Sequence, residues 1–457
     1  MITGLALTGC RTYEAKPIDL ASSRAAFLER TPDRPEIAEF ARRLSQPVDQ
    51  TSFDPADGLS LAEAEAVCLF FNVDLRIARA EAGVAEANAA NAGLWPDPVF
   101  GLEWTRLLDS SLNPNELFGS IAFTIPISGR LEVEKERLGA AHAQALAAVA
   151  AAEWAARIEL RRRWSEWTAA SALLASTAGF VERAEALLSV VDTMQSLGEL
   201  PRVEARLFRL ERVKAAAQLD RFAAIERETR LEILRLLGLP PASEAELVPM
   251  ALGSVDGSIL ATDADSEAIR RSPRLAVAVA AYEVAEKTLE ESIRAQIPDL
   301  GLTPGYGTQD GIRQFTLGAY LPIPIFNGNR QAIEAAFAAR EVARLEVERQ
   351  IESIVADAAV ARTELESLAR QRAIVEGELV PLVELQYAEA RELARLGEVD
   401  TLILLDGLKQ QHEATLRLVE VLRDERLAAI ALEAVAGPPL VEPAASPEPV
   451  PTTGAES

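Results

Sequence analysis

The amino-acid sequence predicts a mostly helical fold with a small β part, built from one long-helix and β-hairpin unit that occurs twice. Short motifs recur in the same order roughly 200 residues apart. Each half also contains a long Ala/Leu/Glu/Arg-rich stretch broken once by Leu-Gly-Glu. The repeated motifs are Trp95-Pro96-Asp97 and Ile297-Pro298-Asp299, Ile125-Pro126-Ile127 and Ile323-Pro324-Ile325, and Leu197-Gly198-Glu199 and Leu396-Gly397-Glu398.

The composition favours long packed helices over a thick globular core. Aromatic residues make up only 5 % of the 457 residues. The net charge of −24 argues against binding of nucleic acid, which needs a basic surface. Two cysteines are too few for a disulfide scaffold.

Residues 1–58 are predicted to be an N-terminal tether, polar and interrupted by prolines, with one short helix near Arg34–Leu44. Cys10 ends a Leu-Thr-Gly-Cys run that resembles the lipobox of bacterial lipoproteins, so we expect lipidation there. The preceding residues lack the basic start and long apolar stretch of a secretory signal, so an accidental match is the alternative. Cys68 lies in an apolar run and is expected to be a buried, inert thiol.

The first predicted unit covers residues 59–238. Ser60 and Glu63 form the pattern of a capping box, followed by a helix to about Gly93. Strands follow at about 98–126. From Arg130 to Leu197 nothing breaks a helix except isolated glycines, which gives a rod of about 100 Å. Its partner, Pro201–Leu237, has a predicted coiled-coil stripe of Val203, Leu207, Leu210 and Ala217.

The second predicted unit covers residues 239–437, with strands at about 299–323. Its last helix begins with a corresponding stripe of Val399, Leu402, Leu405 and Leu408. Residues 438–457 are rich in proline and glutamate and are predicted to be a disordered tail.

The predicted strands alternate between apolar and polar residues, so each has two different faces. Phe100, Leu102 and Trp104 share an apolar face, and the second half repeats the pattern. Four strands cannot close a barrel by themselves. If the apolar faces meet lipid, three copies give a closed barrel of twelve strands, with the long helices packed into a hollow cylinder below it. Its water-lined inner face is predicted to include Ser120, Thr124, Gln314 and Thr316.

With these features the chain resembles the TolC family of outer-membrane factors. The resemblance covers about residues 59–437. It depends on the Leu-Ser-Leu-Ala-Glu-Ala start at Leu59, the paired Leu-Gly-Glu breaks, the Leu-Trp-Pro-Asp-Pro run from Leu94, and the run from Leu321 to Arg330. The run from Gly397 to Asp406 is most similar to the heavy-metal efflux, CzcC-like branch.

The resemblance implies a homotrimer with a β-barrel in the bacterial outer membrane and an α-helical barrel in the periplasm. The lipobox-like run adds the expectation of a lipid anchor at Cys10. The resemblance further implies a passive channel of a tripartite efflux system. A periplasmic adaptor and a proton-driven inner-membrane pump would supply its substrate. Metal cations are the substrates that the branch suggests, while drugs, dyes and peptides stay open. The alternatives are the duct of a type I protein secretion system and a periplasmic adaptor lipoprotein with a coiled-coil hairpin.

The resemblance also implies roles for the helix breaks. They are expected to form turns at the periplasmic tip, where adaptors dock: Leu197, Gly198 and Glu199 in the first half, and Leu396, Gly397 and Glu398 in the second. Asp400 and Asp406 follow the second break. Three copies of them would form acidic rings that gate the tip and favour cations, and the alternative is two solvated helix carboxylates.

Catalytic chemistry has little support in the sequence. The two histidines, His142 and His412, are far apart and lie in helical patterns, so neither a metal site nor a general base is predicted. Nucleophile motifs, phosphate loops and Cys/His clusters do not occur. We therefore expect no enzyme activity and no cofactor.

Overall fold

The structure is a computed structural model, and it describes residues 13–44, 53–106, 108, 115–253, 264–309, 311–396 and 401–438. Long helices alternate with two pairs of strands in chain order. The elements are α1 (Leu20–Leu28), α2 (Pro35–Leu44), a 3₁₀ turn (Pro55–Asp57), α3 (Leu61–Phe71), α4 (Val73–Ala90), β1 (Val99–Arg106), β2 (Asn115–Ile125), α5 (Arg130–Leu197), α6 (Arg202–Leu236), α7 (Ala264–Arg271), α8 (Pro273–Arg294), β3 (Leu300–Gln309), β4 (Ile312–Tyr320), α9 (Arg330–Ile374), a π-turn (Val375–Leu379), α10 (Val380–Leu396) and α11 (Thr401–Ala436).

The N-terminal region contains two helices, whereas the sequence predicts only the second. Asp19 caps α1 by accepting a hydrogen bond from the Ala21 N–H, so an N-cap residue was the local signal for this helix. Ile37 on α2 is fully buried in the main core. Arg30, between the two helices, donates to the carbonyl oxygen of Gly238 at 3.0 Å. This region is therefore packed against the long helices.

The predicted helix between Leu61 and Gly93 is interrupted at Asn72. The capping box of Ser60 and Glu63 is present at its start, as predicted. Asn72 ends α3 and begins α4: its side-chain oxygen accepts from the N–H groups of Asp74 and Leu75. Its amide nitrogen donates to the Leu236 carbonyl oxygen at 3.0 Å. Because an amide can cap a helix and bind another chain segment at once, tertiary contact favours the break over a continuous helix.

The four strands form one antiparallel sheet in the order β1-β2-β3-β4. Glu103 pairs with Phe118, Ser120 with Gly305, and Tyr306 with Phe315. The strands fall where alternation predicts them. β1 and β4 are the two edges of this sheet.

The helices run away from one end of the sheet. α5 has 68 residues without interruption and packs against α4, α6, α8 and α11. α9 packs against α8 and α11. It continues into α10 through the π-turn, which the sequence does not predict. Beside that turn the buried carboxylate of Glu425 lies 2.8 Å from Arg372 Nε.

The predicted stripe on α6 lies on the outer face of the described chain. Val203, Leu207, Leu210 and Ala217 are exposed, whereas Ala205, Phe208 and Ala215 are buried against the neighbouring helices. α6 has apolar residues on two sides, so either side could pack against the neighbouring helices. The side with Ala205 and Ala215 is the buried one, because its small side chains allow the helices to approach more closely. On α11 the predicted Leu405 and Leu408 are buried, and Val399 lies outside the described residues.

The largest core lies about halfway along α5. Trp164 is fully buried there, and its indole N–H donates to the carbonyl oxygen of Val248 at 3.1 Å. Trp167 packs edge-on against it. Residues from α2, α3 and the end of α6 complete this cluster. Among the described residues, none of the helices combines the length and apolar character needed to cross a membrane.

Candidate functional site

One face of the sheet is apolar and uncovered. The side chains of Phe100, Leu102, Trp104, Phe315 and Leu317 each expose more than 60 % of their area. An uncovered apolar surface of this size is unusual for a protein surrounded by water, and it indicates contact with lipid or with another protein.

The opposite face of the sheet is polar and rich in glycine. Ser120, Thr124, Gln314 and Thr316 all lie on it, as predicted from the alternation. The Phe118 ring lies over Gly305 and Gly307, and the Tyr320 ring lies over Gly301. The glycines therefore let two aromatic rings lie flat on this face. A cleft of about 310 Å³ on this face is lined by Glu103, Thr105, Glu116, Phe118, Thr308, Gln309, Gln314 and Thr316.

The first helix break forms a tight, exposed turn. Gly198 has φ +80°, a left-handed conformation that glycine adopts without strain. Its N–H donates to the Gln195 carbonyl oxygen and the Glu199 N–H donates to that of Met194, the two bonds of a Schellman motif. Leu197, Gly198 and Glu199 are exposed. The turn thus presents an apolar and an acidic side chain at the end of a rigid hairpin.

The second break is only partly described. Leu396 is exposed, and Gly397, Glu398 and Asp400 lie outside the described residues. Asp406 is exposed, and its carboxylate accepts a hydrogen bond of 2.6 Å from the Gln410 amide. Cys10, the predicted lipidation site, also lies outside the described residues.

A small apolar cluster joins the two helical hairpins close to the tip. Val191 of α5 and Phe208 of α6 pack there with Leu405 of α11. Leu200, just after the first turn, is buried in the same cluster. The structure therefore brings the first turn and the start of α11, which carries Asp406, to the same end of the molecule.

One buried polar group in this helical region was not predicted from the sequence. The ring of His412 stacks on that of Phe180 with centroids 4.3 Å apart, and neither ring nitrogen has a hydrogen-bond partner among the described residues. Burial, with a smaller effect from Arg183, lowers the pKa of His412 to about 4. The spacing Leu405, Leu408, His412 continues the buried stripe of α11 and could have revealed this position.

The described residues offer no chemistry for a metal site or a reactive thiol. Cys68 is fully buried, as predicted, and burial raises its pKa to about 12. In the described part of the chain, no group of three or more His, Cys, Asp or Glu side chains could hold a metal ion. What the geometry offers is a polar surface backed by an apolar one, on a long helical stem.

This arrangement is the fold of the outer-membrane channels of the TolC type. The chain is similar to the outer-membrane channel OprN, with a TM-score of 0.72 at 17% identity over 89% of this chain and 97% of that one. It is similar to the outer membrane protein VceC of Vibrio cholerae, with a TM-score of 0.68 at 16% identity over 82% and 96%. For the open state of the MtrE channel of Neisseria gonorrhoeae the TM-score is 0.68 at 16% identity over 85% and 94%.

The sequence also matches a family model, described as outer membrane efflux protein, over residues 265–438. None of the curated proteins compared matches the chain. Residues 265–438 thus match a family described as outer membrane efflux protein, and the chain shares the fold of solved outer-membrane channels.

Proposed function

We propose that this protein is the outer-membrane channel of a tripartite efflux system and conducts substrate passively from the periplasm to the exterior. The observation that carries this proposal is the two-sided sheet at the end of the helical stem. Its apolar face is suited to lipid, and its face with Ser120, Thr124, Gln314 and Thr316 is suited to water.

The proposed active form is a homotrimer. The described sheet has four strands and two free edges, and three copies would supply the twelve strands of a closed barrel. The outward stripe of α6, including Val203 and Leu207, would then be covered by other helices in the helical barrel. An apolar stripe of this kind favours helix packing between copies over exposure to water.

The proposed docking sites for a periplasmic adaptor are the two tips, with Leu197, Gly198 and Glu199 in one and Leu396, Gly397 and Glu398 in the other. The exposed Leu197 and Leu396 support this, because side chains of that size gain free energy when a partner covers them. An inner-membrane pump, which we propose to be proton-driven, would supply substrate through the adaptor.

The proposed gate is formed by Asp400 and Asp406 near the second tip. Asp406 lies at the same end of the molecule as the first turn and its carboxylate is exposed. Three copies around an axis would concentrate negative charge there, which favours cations. We therefore propose metal cations as the substrate class, in line with the resemblance to the heavy-metal branch, and a lipid anchor at Cys10.

Single-channel recording tests the proposed function directly. The full chain, purified in mild detergent and added to planar bilayers, is expected to open stable conducting channels that prefer cations. Native mass spectrometry of the same sample is expected to give the mass of three chains. A stable single chain that gives no conductance would refute the proposal.

Asp406→Asn then tests the gate, with Asp424→Asn on the same helix as a matched control. Asp406→Asn is expected to reduce the preference for cations, whereas Asp424, which pairs with the adjacent Arg423, is expected to tolerate the change. Equal selectivity of both variants would exclude Asp406 from the gate.

A further inference from the structure

An ion pair joins the two halves of the chain where the helices meet the sheet. Arg130, the first residue of α5, binds both carboxylate oxygens of Asp299, with Nη2–Oδ2 at 2.8 Å and Nε–Oδ1 at 3.3 Å. Asp299 directly precedes β3. This contact raises the pKa of Arg130 and holds it beside the pair of central strands. A two-point contact of this kind fixes direction as well as distance.

Both partners of this pair have counterparts in the other half. Asp299 ends the Ile-Pro-Asp motif of the second half, and Asp97 ends the corresponding Trp-Pro-Asp motif of the first half. Arg130 corresponds to Arg330, the first residue of α9. The helix caps agree as well, because Gly129 and Asn329, directly before the two arginines, are both left-handed, with φ +70° and +58°.

The counterparts lie at opposite edges of the sheet. Asp97 precedes β1 and Arg330 follows β4. Both side chains are exposed, and among the described residues neither forms an ion pair. The two halves thus provide one complete pair in the middle of the sheet and one half of a pair at each edge.

We propose that Arg330 binds Asp97 of a neighbouring copy and thereby fixes how the edges β4 and β1 join. The occupant of each edge is a second copy of this chain, because the edge residues have opposite charges and a formed pair within the chain provides the template. This inference rests on the proposed function, in which several copies close the sheet.

The template also sets the register of the joint. β2 pairs with β3 such that Phe118 faces Gly307 and Gly119 faces Tyr306. The counterparts of these residues follow from aligning Ile125 with Ile323 and Asp299 with Asp97. Phe118 and Gly119 of β2 then correspond to Thr316 and Leu317 of β4. Gly307 and Tyr306 of β3 correspond to Thr105 and Trp104 of β1, so Thr316 is expected to pair with Thr105 of the neighbour and Leu317 with its Trp104. This register places apolar residues on one face and polar residues on the other. A slip by one residue would reverse that, so the agreement supports the mapping.

The helices beside the joint differ from their template in chemistry. Between α5 and α8, Arg137 pairs with Glu291 and Lys287 pairs with Glu136. At the corresponding positions of α9 and α4 the charges are replaced by apolar residues, namely Phe337, Ala89, Ala85 and Ala336. A seam of this composition resembles the apolar interfaces of permanent oligomers. Of these three ion pairs, only the arginine–aspartate pair has charged counterparts in the other half. We therefore expect this pair to set the orientation of one copy relative to the next.

Charge reversal tests the proposed pair. Asp97→Arg and Arg330→Asp are each expected to lower the fraction of detergent-stable oligomer at least threefold in a heating series, because like charges then meet at every joint. The double variant is expected to restore the fraction to within twofold of the unmodified protein. Asp299→Arg is the matched control: it breaks the pair within the chain, and Arg330→Asp is expected to give it no rescue. Full stability of both single variants, or absence of rescue in the double variant, would overturn the pair.

Cysteine pairs test the register independently of charge. Thr105→Cys with Thr316→Cys is expected to give disulfides between chains on mild oxidation, up to a covalent trimer, because directly opposed residues come within disulfide range. Glu103→Cys with Thr316→Cys, the diagonal pair, is expected to react at least fivefold more slowly. The reverse order of rates would overturn the register. A conducting trimer that fails these tests refutes only this inference, whereas a single chain without conductance refutes the proposed function as well.

Discussion

His412 is a titratable ring in a place without polar partners. It stacks on the face of Phe180 and neither ring nitrogen has a hydrogen-bond partner among the described residues, so the neutral imidazole serves as a packing group between α5 and α11. A charged ring there would lose its hydration without compensation. Protonation of His412 would therefore weaken the packing of α11 on α5, so this packing depends on pH.

Acid is expected to destabilise the helical part through this residue. Its pKa is 6.5 when unperturbed and about 4 in the folded protein, so the unfolded chain binds the proton more readily. The stability is fully present above pH 6.5 and falls as the pH drops toward 4, by about 3 kcal/mol in total. His412→Leu is expected to remove that part of the pH dependence, measured by thermal melts between pH 7.5 and 4. His142→Leu, on the half-exposed second histidine, is the control and is expected to retain it.

At the scale of elements, glycines decide where helices can end. Gly238 ends the α6 region with φ +67°, and a methyl group there would lie 2.8 Å from the Phe71 carbonyl oxygen. Both the conformation and the contact exclude a side chain. The end of α6 can therefore pack directly on the end of α3.

Gly238→Ala is expected to lower the free energy of unfolding by about 2 kcal/mol or more, since it adds strain and a clash in the main core. The matched control is Gly139→Ala inside α5, where nothing lies within 4 Å of the added methyl group. That change is expected to stabilise the helix by about 0.5–1 kcal/mol. Urea unfolding followed by circular dichroism measures both. Equal effects of the two substitutions would contradict this account of Gly238.

The sequence predicts elements with a strong local signal and misses those set by tertiary contact. The strands, the α5 rod and the capping box at Ser60 follow from alternation, uninterrupted helical composition and one polar pair. The break at Asn72 depends on the carbonyl of Leu236, far away in the chain. The buried face of α6 also could not be predicted, because two apolar stripes compete and only the neighbouring helices select one.

The candidate site was predictable to a similar degree. The positions of Ser120 and Thr316 on the polar face follow from a period of two, which fixes the face of every strand residue once one is known. The turn at Gly198 follows from the glycine itself. The ion pair of Arg130 with Asp299 was not predictable, because its partners are 169 residues apart and each looks like an ordinary surface charge.

At the scale of the whole molecule, two adjacent residues of β4 separate the proposed roles of the faces. Leu317→Arg is expected to destabilise the channel in bilayers by about 2–4 kcal/mol, because it places a charge in hydrocarbon. Thr316→Arg on the opposite face is expected to leave stability nearly unchanged and to reduce cation current. Unfolding in lipid vesicles measures the first effect and single-channel recording the second. Similar behaviour of both variants would contradict the assignment of the faces.

The uninterrupted course of α5 makes it a lever. Its fulcrum is the level of Trp164, where the surrounding core holds the helix on several sides. From there to Leu197 the helix extends for about 50 Å. A tilt of about 5° at the level of Trp164 would therefore displace the Leu197 end of α5 by about 4 Å, which is more than the diameter of a water molecule. Small adjustments around Trp164 are thus sufficient to move the turn at Gly198, at the far end of α5.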